Sequence, residues 1–576
     1  MLRPILFSAL LVALSLQNLF AAGAFTPEQY KKALWMVTRF YGAQRSGNGP
    51  NWLLMDHTYK TSFTRDADGN INLEGGWFDC GDHVTFGQTF FYSAYMLAKA
   101  YDAFPKGFHD LYNGKDYSDY AESGNWNMTG GKPNRVPDLL EELKYATDWI
   151  IKATPNGTTF YYEKGEGGPD HSTWVTAGKM STQPVDQGGE PRKMWKNPND
   201  GVMASFAAAT LAIMSKIYRE YDAAYADTCL NHAKLAYTYA SAKKNVSAGA
   251  ASGSYYGAHK DPQTVFVLAA SEMYRITGDN TYKNAIDISQ VKTHYHVLDY
   301  ANSHDLVAYA AAMAAPADKD SLLRLMQKEF VDKYTNPGNI NGEKVTTLGG
   351  GWGQLRYAGN TAFSVALYSL AKDITQYDQF IYDQVDYVLG NNNAKRSFIT
   401  GFCEGCSGSP KLVHHRNVFL RDDNPDDNAK AQMTIPERNR YFGYLVGGTR
   451  NSSEYAESVT DYTTTEGGID YNAGLLGALA YIVSKLDPAP DIPPIPIEPP
   501  GEPGEPPAPI ISLPNKTSLA NSVVRFAGAH TFPAQNKSFT VRIFNLKGNE
   551  VSVIKSQGEA VKFTPQSFGA YYAVIK

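Results

Sequence analysis

The sequence predicts an all-α body in which helical hairpins pack into a ring, joined through a proline-rich linker to a small β domain. Three observations predict it. Apolar residues recur at three- and four-residue spacing in segment after segment up to Leu486. The patterned segments alternate with long loops rich in Gly, Trp and Tyr. From Asp487 to Pro509 the composition turns to Pro, Gly and acidic residues, which stay extended and cannot bury a core.

The first helix is announced by Thr26 as N-cap, with Pro27 in the first turn and Gln29 in the capping-box position, and runs to about Gln44. Further helical patterns run from about Val84 to Tyr101, Pro137 to Ala153, Val202 to Tyr221, Ala223 to Ala242 and Pro262 to Thr277. Others run from about Asn280 to Ser289, Ser303 to Ala314, Ser321 to Tyr334, Tyr357 to Lys372, Tyr377 to Leu389 and Asp470 to Leu486. That makes about twelve helices with hardly a convincing strand. Helices in such number, separated by long loops, suit hairpins arranged in a ring with the loops shaping a cleft at one end. An irregular helical globule satisfies the same periodicity, whereas the lack of a repeat of about 30 to 40 residues argues against a solenoid.

Beyond the linker, 511–576 changes character. Phe539 to Phe544 alternates, Lys547-Gly548-Asn549 supplies a turn, and Glu550 to Lys555 and Ala570 to Ile575 read as further strands. At the other end, Arg3 precedes an apolar run from Ile5 to Phe20 that closes on Ala21, Ala22, Gly23 and Ala24. This is the pattern of a secretory leader cleaved after Ala24, too short to span a bilayer, so 1–24 is expected to be removed on export. The helical body is then expected over 25–486 and the linker over 487–510.

Of 576 residues, 43% are hydrophobic and 19% charged, enough to bury a large core. The net charge of −5 with both signs interspersed offers neither a basic stripe for nucleic acid nor a polybasic membrane anchor. Four cysteines, Cys80, Cys229, Cys403 and Cys406, are too few to staple a chain of this length. The lone Cys403-x-x-Cys406 fits a short-loop disulfide or free thiols, and fits zinc less well for want of a second pair or histidines at zinc spacing.

The loops carry the chemistry. The chain has 38 Tyr and 8 Trp, and Trp77, Trp174, Tyr255, Tyr256, Trp352 and Tyr357 stand in or beside Gly-rich loops. Aromatic faces suit the flat apolar faces of glucose while their polar edges reach hydroxyls, although most of the tyrosines read as ordinary core. Glycosidic cleavage needs one protonated and one ionised carboxyl group. Gly75-Gly76-Trp77-Phe78-Asp79-Cys80-Gly81-Asp82-His83 sets two aspartates three apart before a helix, where they can grip one water and oppose each other's ionisation. Spacing alone equally allows helix capping by Asp82 or a calcium loop.

Gly75 to Phe86, GGWFDCGDHVTF, closely resembles the first active-site loop of glycoside hydrolase family 9. Ser397 to Phe402 leading to Val413-His414-His415-Arg416 is similar to the family's histidine signature. Tyr455-x-Glu457-x-x-x-Asp461-Tyr462-x-x-x-Glu466, leading to Asp470-Tyr471-Asn472-Ala473-Gly474, is similar to its acidic signature. The resemblance implies an (α/α)6 barrel of six helical hairpins, carrying a small C-terminal β-sandwich-like domain after the linker, and inverting hydrolysis of β-1,4-glucan. It implies Asp82 as general base, Asp79 as its partner on the water and Glu466 as general acid. His414 and Arg416 are implied as ligands of the sugar beside the scissile bond. His171, Trp174, Tyr255, Tyr256, Trp352, Arg356, Tyr357, Asp461 and Tyr471 fall on substrate-contacting stretches.

The chain departs from the family's pattern at Glu457, where Asp is usual, at Val459 for Arg and at Thr465 for Asn. Ala177-Gly178 and Asp261-Pro262 replace acidic stretches, and Leu298-Asp299-Tyr300 is a poor counterpart of the family's Trp-Asp-x-Lys. Without the resemblance, Glu466 lies among Thr and Gly before a helix, and a general acid there needs burial to raise its pKa.

The expected function is therefore a secreted endo-β-1,4-glucanase, extracellular or attached to the cell surface. Alternatives are a non-catalytic glycan-binding protein on the same fold and an exo-acting cellobiohydrolase-like or glucosaminidase-like member of the family. A polysaccharide lyase fits poorly, because few Arg residues fall in the motif loops. Phosphate-loop and nucleophile-elbow motifs are missing from the sequence. The expected partner is cellulose or a soluble β-glucan, bound by a monomer with no required cofactor, a structural calcium ion being allowed. Phe544-Asn545-Leu546-Lys547-Gly548 and Gly569-Ala570-Tyr571-Tyr572 resemble bacterial sorting tails, which points the C-terminal domain toward secretion machinery or attachment. A carbohydrate-binding module is the weaker reading, since this domain has no Trp.

Overall fold

A computed structural model describes residues 22–49, 61–111, 133–291, 296–348, 351–416 and 442–491. In the C-terminal region it describes 523–527, 530–532, 539–545, 550–557, 561–563 and 570–575. Two compact units result, Met1–Ile495 and Pro496–Lys576.

Among the described residues of the first unit, twelve helices form the barrel, and shorter helical pieces at Gly167–Ser172, Ala177–Ser181, Asp332–Tyr334 and Tyr462–Thr465 lie between them. In chain order the twelve are α1 (Pro27–Ala43), α2 (Gly87–Ala103), α3 (Asp138–Ala153), α4 (Val202–Ile217), α5 (Ala223–Lys243) and α6 (Pro262–Thr277). They continue as α7 (Asn280–Lys283), α8 (His304–Ala314), α9 (Lys319–Met326), α10 (Arg356–Lys372), α11 (Asp378–Leu389) and α12 (Ile469–Leu486). Each even-numbered helix packs along the next, and α12 returns to α2, so six helices close a ring. The odd-numbered helices lie outside it, which makes six hairpins in an (α/α)6 barrel of the kind the sequence led us to expect.

Sequence explains which helix goes where. α4 (VMASFAAATLAIMSKI) is apolar all round and almost wholly buried, as a helix flanked on every side must be. α5 buries a single stripe, Ala226, Cys229, Ala233, Ala236, Tyr237 and Ala240, the three- and four-residue spacing of a helix with one face to solvent. In the ring α10 and α12 approach backbone to backbone: a Cβ on Gly359 would stand 2.5 Å from Leu475 N, and one on Gly474 would stand 2.5 Å from Asn360 Cα. At the start of α1 the capping box is present, Thr26 accepting from Gln29 N and Gln29 accepting from Thr26 N.

Three expectations need correction. The second helix starts at Gly87, not Val84, because Val84 N bonds to Asp82 and Thr85 pairs with Lys164, which holds this stretch extended. The helix expected over Asn280 to Ser289 is the four-residue α7 followed by a turn at Ile288–Gln290, since the Asp287 side chain accepts from Ser289 N and restarts the chain. Strands do occur among the loops: β1 (Tyr161–Lys164) pairs with β2 (Met194–Lys196), and two-residue ladders join Gly47–Asn48 to Thr61–Ser62 and Ala67–Asp68 to Ile71–Asn72.

After α12 the chain stays on the helical unit as far as Asp491, Ala489 N donating to Lys106 O at 2.6 Å. Most of the expected linker and of the expected leader lies outside the described residues, as does the turn at Lys547-Gly548-Asn549. Ala22 N and Ala24 N donate to Gln379 and Asp386 on α11. The second unit is an antiparallel four-stranded sheet of β3 (Val523–Ala527), β5 (Phe539–Asn545), β6 (Glu550–Ser556) and β8 (Ala570–Ile575), in the order β6-β5-β8-β3. β4 (His530–Phe532) pairs with β7 (Val561–Phe563). Val541 and Ile543 point inward while Arg542 is exposed, the alternation read from the sequence.

Candidate active site

Five of the six ring helices begin beside one cleft. Asp79, Cys80, Asp82 and Phe86 precede α2, Tyr255 and Tyr256 precede α6, Tyr300 precedes α8, Trp352 precedes α10, and Glu466 precedes α12. With His171, Arg356, His414, Tyr462 and Tyr471 they line an open cleft of about 280 Å³, close to the lower end of the range of about 300 to 1,000 Å³ for ligand clefts.

Three chain segments meet at Gly81. A Cβ there would lie 2.6 Å from His414 O and 3.2 Å from Glu466 Oε1, so only glycine admits both loops. Gly81 N donates to Glu466 Oε1 at 3.3 Å and Gly81 O accepts from Arg416 N at 3.2 Å. Gln44, just past α1, ties the same loops by donating to Cys80 O at 2.8 Å and bonding His415 Nε2 at 2.9 Å.

The carboxyl groups differ in what surrounds them. Asp79 accepts from the hydroxyls of Thr89 and Tyr256, one on each oxygen. Burial, then the neighbouring Asp82 and Asp470, pushes it well above the usual carboxylate range. Asp82 accepts Val84 N on Oδ1 at 2.8 Å; burial and Asp170 raise it to about 6, with His171, Arg416 and the Val84 N–H limiting the rise. Glu466 is 8% exposed and is pushed well above its ordinary value by burial, then Asp82 and Asp79. Its partners are Gly81 N and Trp352 Nε1, the latter at 3.2 Å. Glu466 is therefore held toward its protonated form, while Asp82 is ionised above about 6.

Asp79, Cys80 and Asp82 place a ligand atom each within 4.8 Å of one another, so they are the described residues nearest to a cation site. The two hydroxyls on Asp79 already satisfy both of its oxygens. Burial, followed by Asp79, raises the Cys80 thiol well above its usual range, against metal ligation as thiolate.

Aromatic rings flank the carboxyls. Trp352 and Tyr462 are each 47% exposed with ring centroids 4.9 Å apart, and Tyr255 stacks on His171 at 4.8 Å. His414 is held by its Nδ1 on Val459 O at 2.7 Å and by the Trp174 ring at 4.6 Å.

Ten of the fourteen expected site residues line this cleft: Asp79, Asp82, Glu466, His171, Tyr255, Tyr256, Trp352, Arg356, His414 and Tyr471. The other four do not. Arg416 is buried in an ion pair with Asp170, its guanidinium 5.0 Å from the Trp174 ring. Trp174 backs His414, Tyr357 is buried beneath Arg356, and Asp461 caps the turn Tyr462–Thr465 through Thr463 and Thr464. Sequence reasoning missed Cys80, Phe86, Tyr300 and Tyr462 as lining residues. Tyr300 meets Tyr256 edge-on at 5.0 Å, so the stretch that looked like a poor counterpart does reach the cleft.

The family model described as glycosyl hydrolase family 9 matches residues 30–479. Endoglucanase A of Fibrobacter succinogenes is 36% identical over 418 residues, covering 70% of this chain and 89% of that protein. Among solved structures, an endoglucanase from the termite Nasutitermes takasagoensis superposes with a TM-score of 0.64 at 28% identity, over 80% of this chain and 99% of that one. A cellulase of C. cellulolyticum in complex with cellobiose gives 0.63 at 27% identity, over 79% and 98%.

Proposed function

The chain belongs to glycosyl hydrolase family 9, and from that premise we propose that it is an endo-β-1,4-glucanase working with Glu466 as general acid and Asp82 as general base. The observation that carries the reading is the contrast inside one aromatic cleft: Glu466 is pushed well above the carboxylate range while Asp82 titrates near 6. Glycoside cleavage asks for such a pair, one group protonated and one ionised at the same pH.

In this reading a β-glucan chain lies across Trp352, Tyr462, Tyr255 and His171, its sugar faces on the rings. Glu466 passes its proton to the glycosidic oxygen as the bond to the anomeric carbon breaks. A water held between Asp79 and Asp82 attacks the opposite face and gives its proton to Asp82. Asp79 is fixed by Thr89 and Tyr256; burial and the neighbouring Asp82 both raise it, so the pair favours a single charge, which in this reading sits on Asp82. His414 contacts the sugar at the scissile bond, and Arg416 acts from behind by charging Asp170 and tempering Asp82. These steps use the chain's own side chains alone, with calcium confined to a structural role.

Export rests on the leader read over 1–24, and among the described residues no helix is long and apolar enough to cross a membrane. The C-terminal unit serves sorting or attachment, and the barrel acts as a monomer.

Stereochemistry tests the mechanism. Attack by water on the face opposite the leaving group inverts the anomeric centre, so a β-linked cello-oligosaccharide should first give the α anomer at the new reducing end. Proton NMR within the first minutes, before mutarotation, reads this. An initial β anomer would instead mean direct attack by an aspartate and would remove Asp82 from the role of base.

A further inference from the structure

Glu457 and Val459 are two positions where the chain departs from the family's usual residues, and the structure gives them a joint task. Glu457 Oε2 accepts the backbone N–H groups of Lys411 at 3.0 Å and Leu412 at 2.8 Å. Its other oxygen, Oε1, takes Arg396 NH1 at 3.2 Å. Two residues on, Val459 O accepts His414 Nδ1 at 2.7 Å. Segment 457–459 thus grips both the backbone leading into His414 and the imidazole itself. The free end of the loop meets the acid's segment, His414 N donating to Thr465 O at 3.3 Å.

We propose that Glu457, with Arg396 as its counter-ion, is a positioning residue that sets His414 in the cleft; its effect on catalysis rests on the reading of His414 as a sugar contact. Arg396 is a firm anchor: its own N–H and C=O both bond Asn392, at 3.1 and 2.7 Å, and its guanidinium lies 5.2 Å from the Tyr455 ring. Geometry also accounts for glutamate. The carboxylate must meet Arg396 on one side and two consecutive N–H groups on the other, and aspartate is one methylene shorter. A glutamate here takes over a grip that leaves position 459 to contribute only its carbonyl, which any residue supplies.

The test is a double-mutant cycle on a soluble cello-oligosaccharide with the full chain, joined to a crystal structure. Glu457→Ala should raise KM about five- to tenfold with kcat held within about twofold, the weight of one or two hydrogen bonds. His414→Ala should raise KM by a similar factor, and the double variant should be no worse than His414→Ala alone, because residues acting through one another are non-additive. Glu457→Gln keeps an oxygen for both N–H groups and gives up only the charged hydrogen bond to Arg396, so it should recover most of the KM. In crystals of Glu457→Ala the His414 ring should leave Val459 O. A ring that stays in place, or KM effects that multiply in the double variant, overturns the proposal. If the ring moves but His414→Ala leaves KM unchanged, the positioning stands and the sugar-contact reading of His414 falls.

Discussion

At the loop end of the barrel, Asp79, Asp82 and Glu466 are buried together with few cations, and all three are pushed above the carboxylate range. About 20 Å along α2, at its other end, the Asp102 side chain is only 7% exposed, yet Lys99, Lys216 and Arg275 all reach it, at 3.2, 2.8 and 2.7 Å. Burial alone would raise Asp102, but Lys99, then Arg275 and Lys216, hold it well below the ordinary range. Glu272 joins the same cluster through Lys99 and Arg275. Carboxyl groups withdrawn from water thus have their pKa raised in one place and lowered in the other, and the supply of cations is the chief difference. One end invests in reactivity at some expense of stability; the other locks α2, α4 and α6 together.

The largest effect that could break this contrast is at Glu466. Glu466→Gln should lower hydrolysis of unactivated β-glucan by about 100- to 10,000-fold with no loss of melting temperature, since an amide removes an ionisable group that the fold does not need charged. Near-normal cleavage of cellulose by this variant would end the assignment. The matching change at the far end is Lys99→Met, which leaves buried carboxylates short of a cation. It should cost about 3 to 5 kcal/mol in chemical unfolding while the folded fraction keeps its kcat. A loss below about 1 kcal/mol would show that the cluster is not a stabilising lock.

pH sharpens the comparison because the two ends carry opposite signs. Asp82 is raised to about 6 when folded, so the stability it contributes is complete below its unfolded pKa of about 4 and is lost as pH rises through about 6. Asp102 is lowered, so its contribution is present above about pH 4 and is lost as pH falls. Asp82→Asn should therefore gain on the order of 2 kcal/mol over wild type at pH 7 and little at pH 4, read from urea titrations at both. For wild type, kcat/KM should fall as pH drops below about 6, where Asp82 takes up its proton. A pH-independent difference between the two proteins would remove Asp82 from this account. The smallest effect belongs to Lys216, which is 53% exposed in its pair with Asp102. Lys216→Ala should cost no more than about 1 kcal/mol, and a larger loss would mean that exposed cations carry the lock as well.

The fold was legible because ring helices must be apolar all round and outer helices striped, as in α4 and α5, and because Thr26 to Gln29 spells a capping box. Short elements were not: α7 stops at Lys283, and Asp287 starts the turn Ile288–Gln290 by a side-chain bond that periodicity does not register. In the site, Asp79 and Asp82 stood out as a closely spaced pair, but the resemblance of their loop and of the Glu466 segment to the family's motifs is what gave the three carboxyls their roles. Tyr300 and Tyr462 did not stand out, since a single tyrosine in a loop carries no pattern to show whether it faces a cleft or the core. Arg416, Trp174, Tyr357 and Asp461 show the reverse: sequence marks a residue as belonging to a site but cannot separate those that line it from those that brace it.

Because five of the six even-numbered helices begin beside the cleft, their backbone dipoles add there rather than cancel. Each helix N-terminus carries roughly half a positive charge and each C-terminus roughly half a negative one. Lys216 and Arg275 lie in the last turns of α4 and α6, as Lys372 and Lys485 do in those of α10 and α12, while Asp305 and Asp470 lie in the first turns of α8 and α12. The barrel is in this sense an electret, a body with permanent polarisation whose positive pole faces the substrate. The anionic charge that Asp82 must carry during turnover is formed at the pole that best tolerates it.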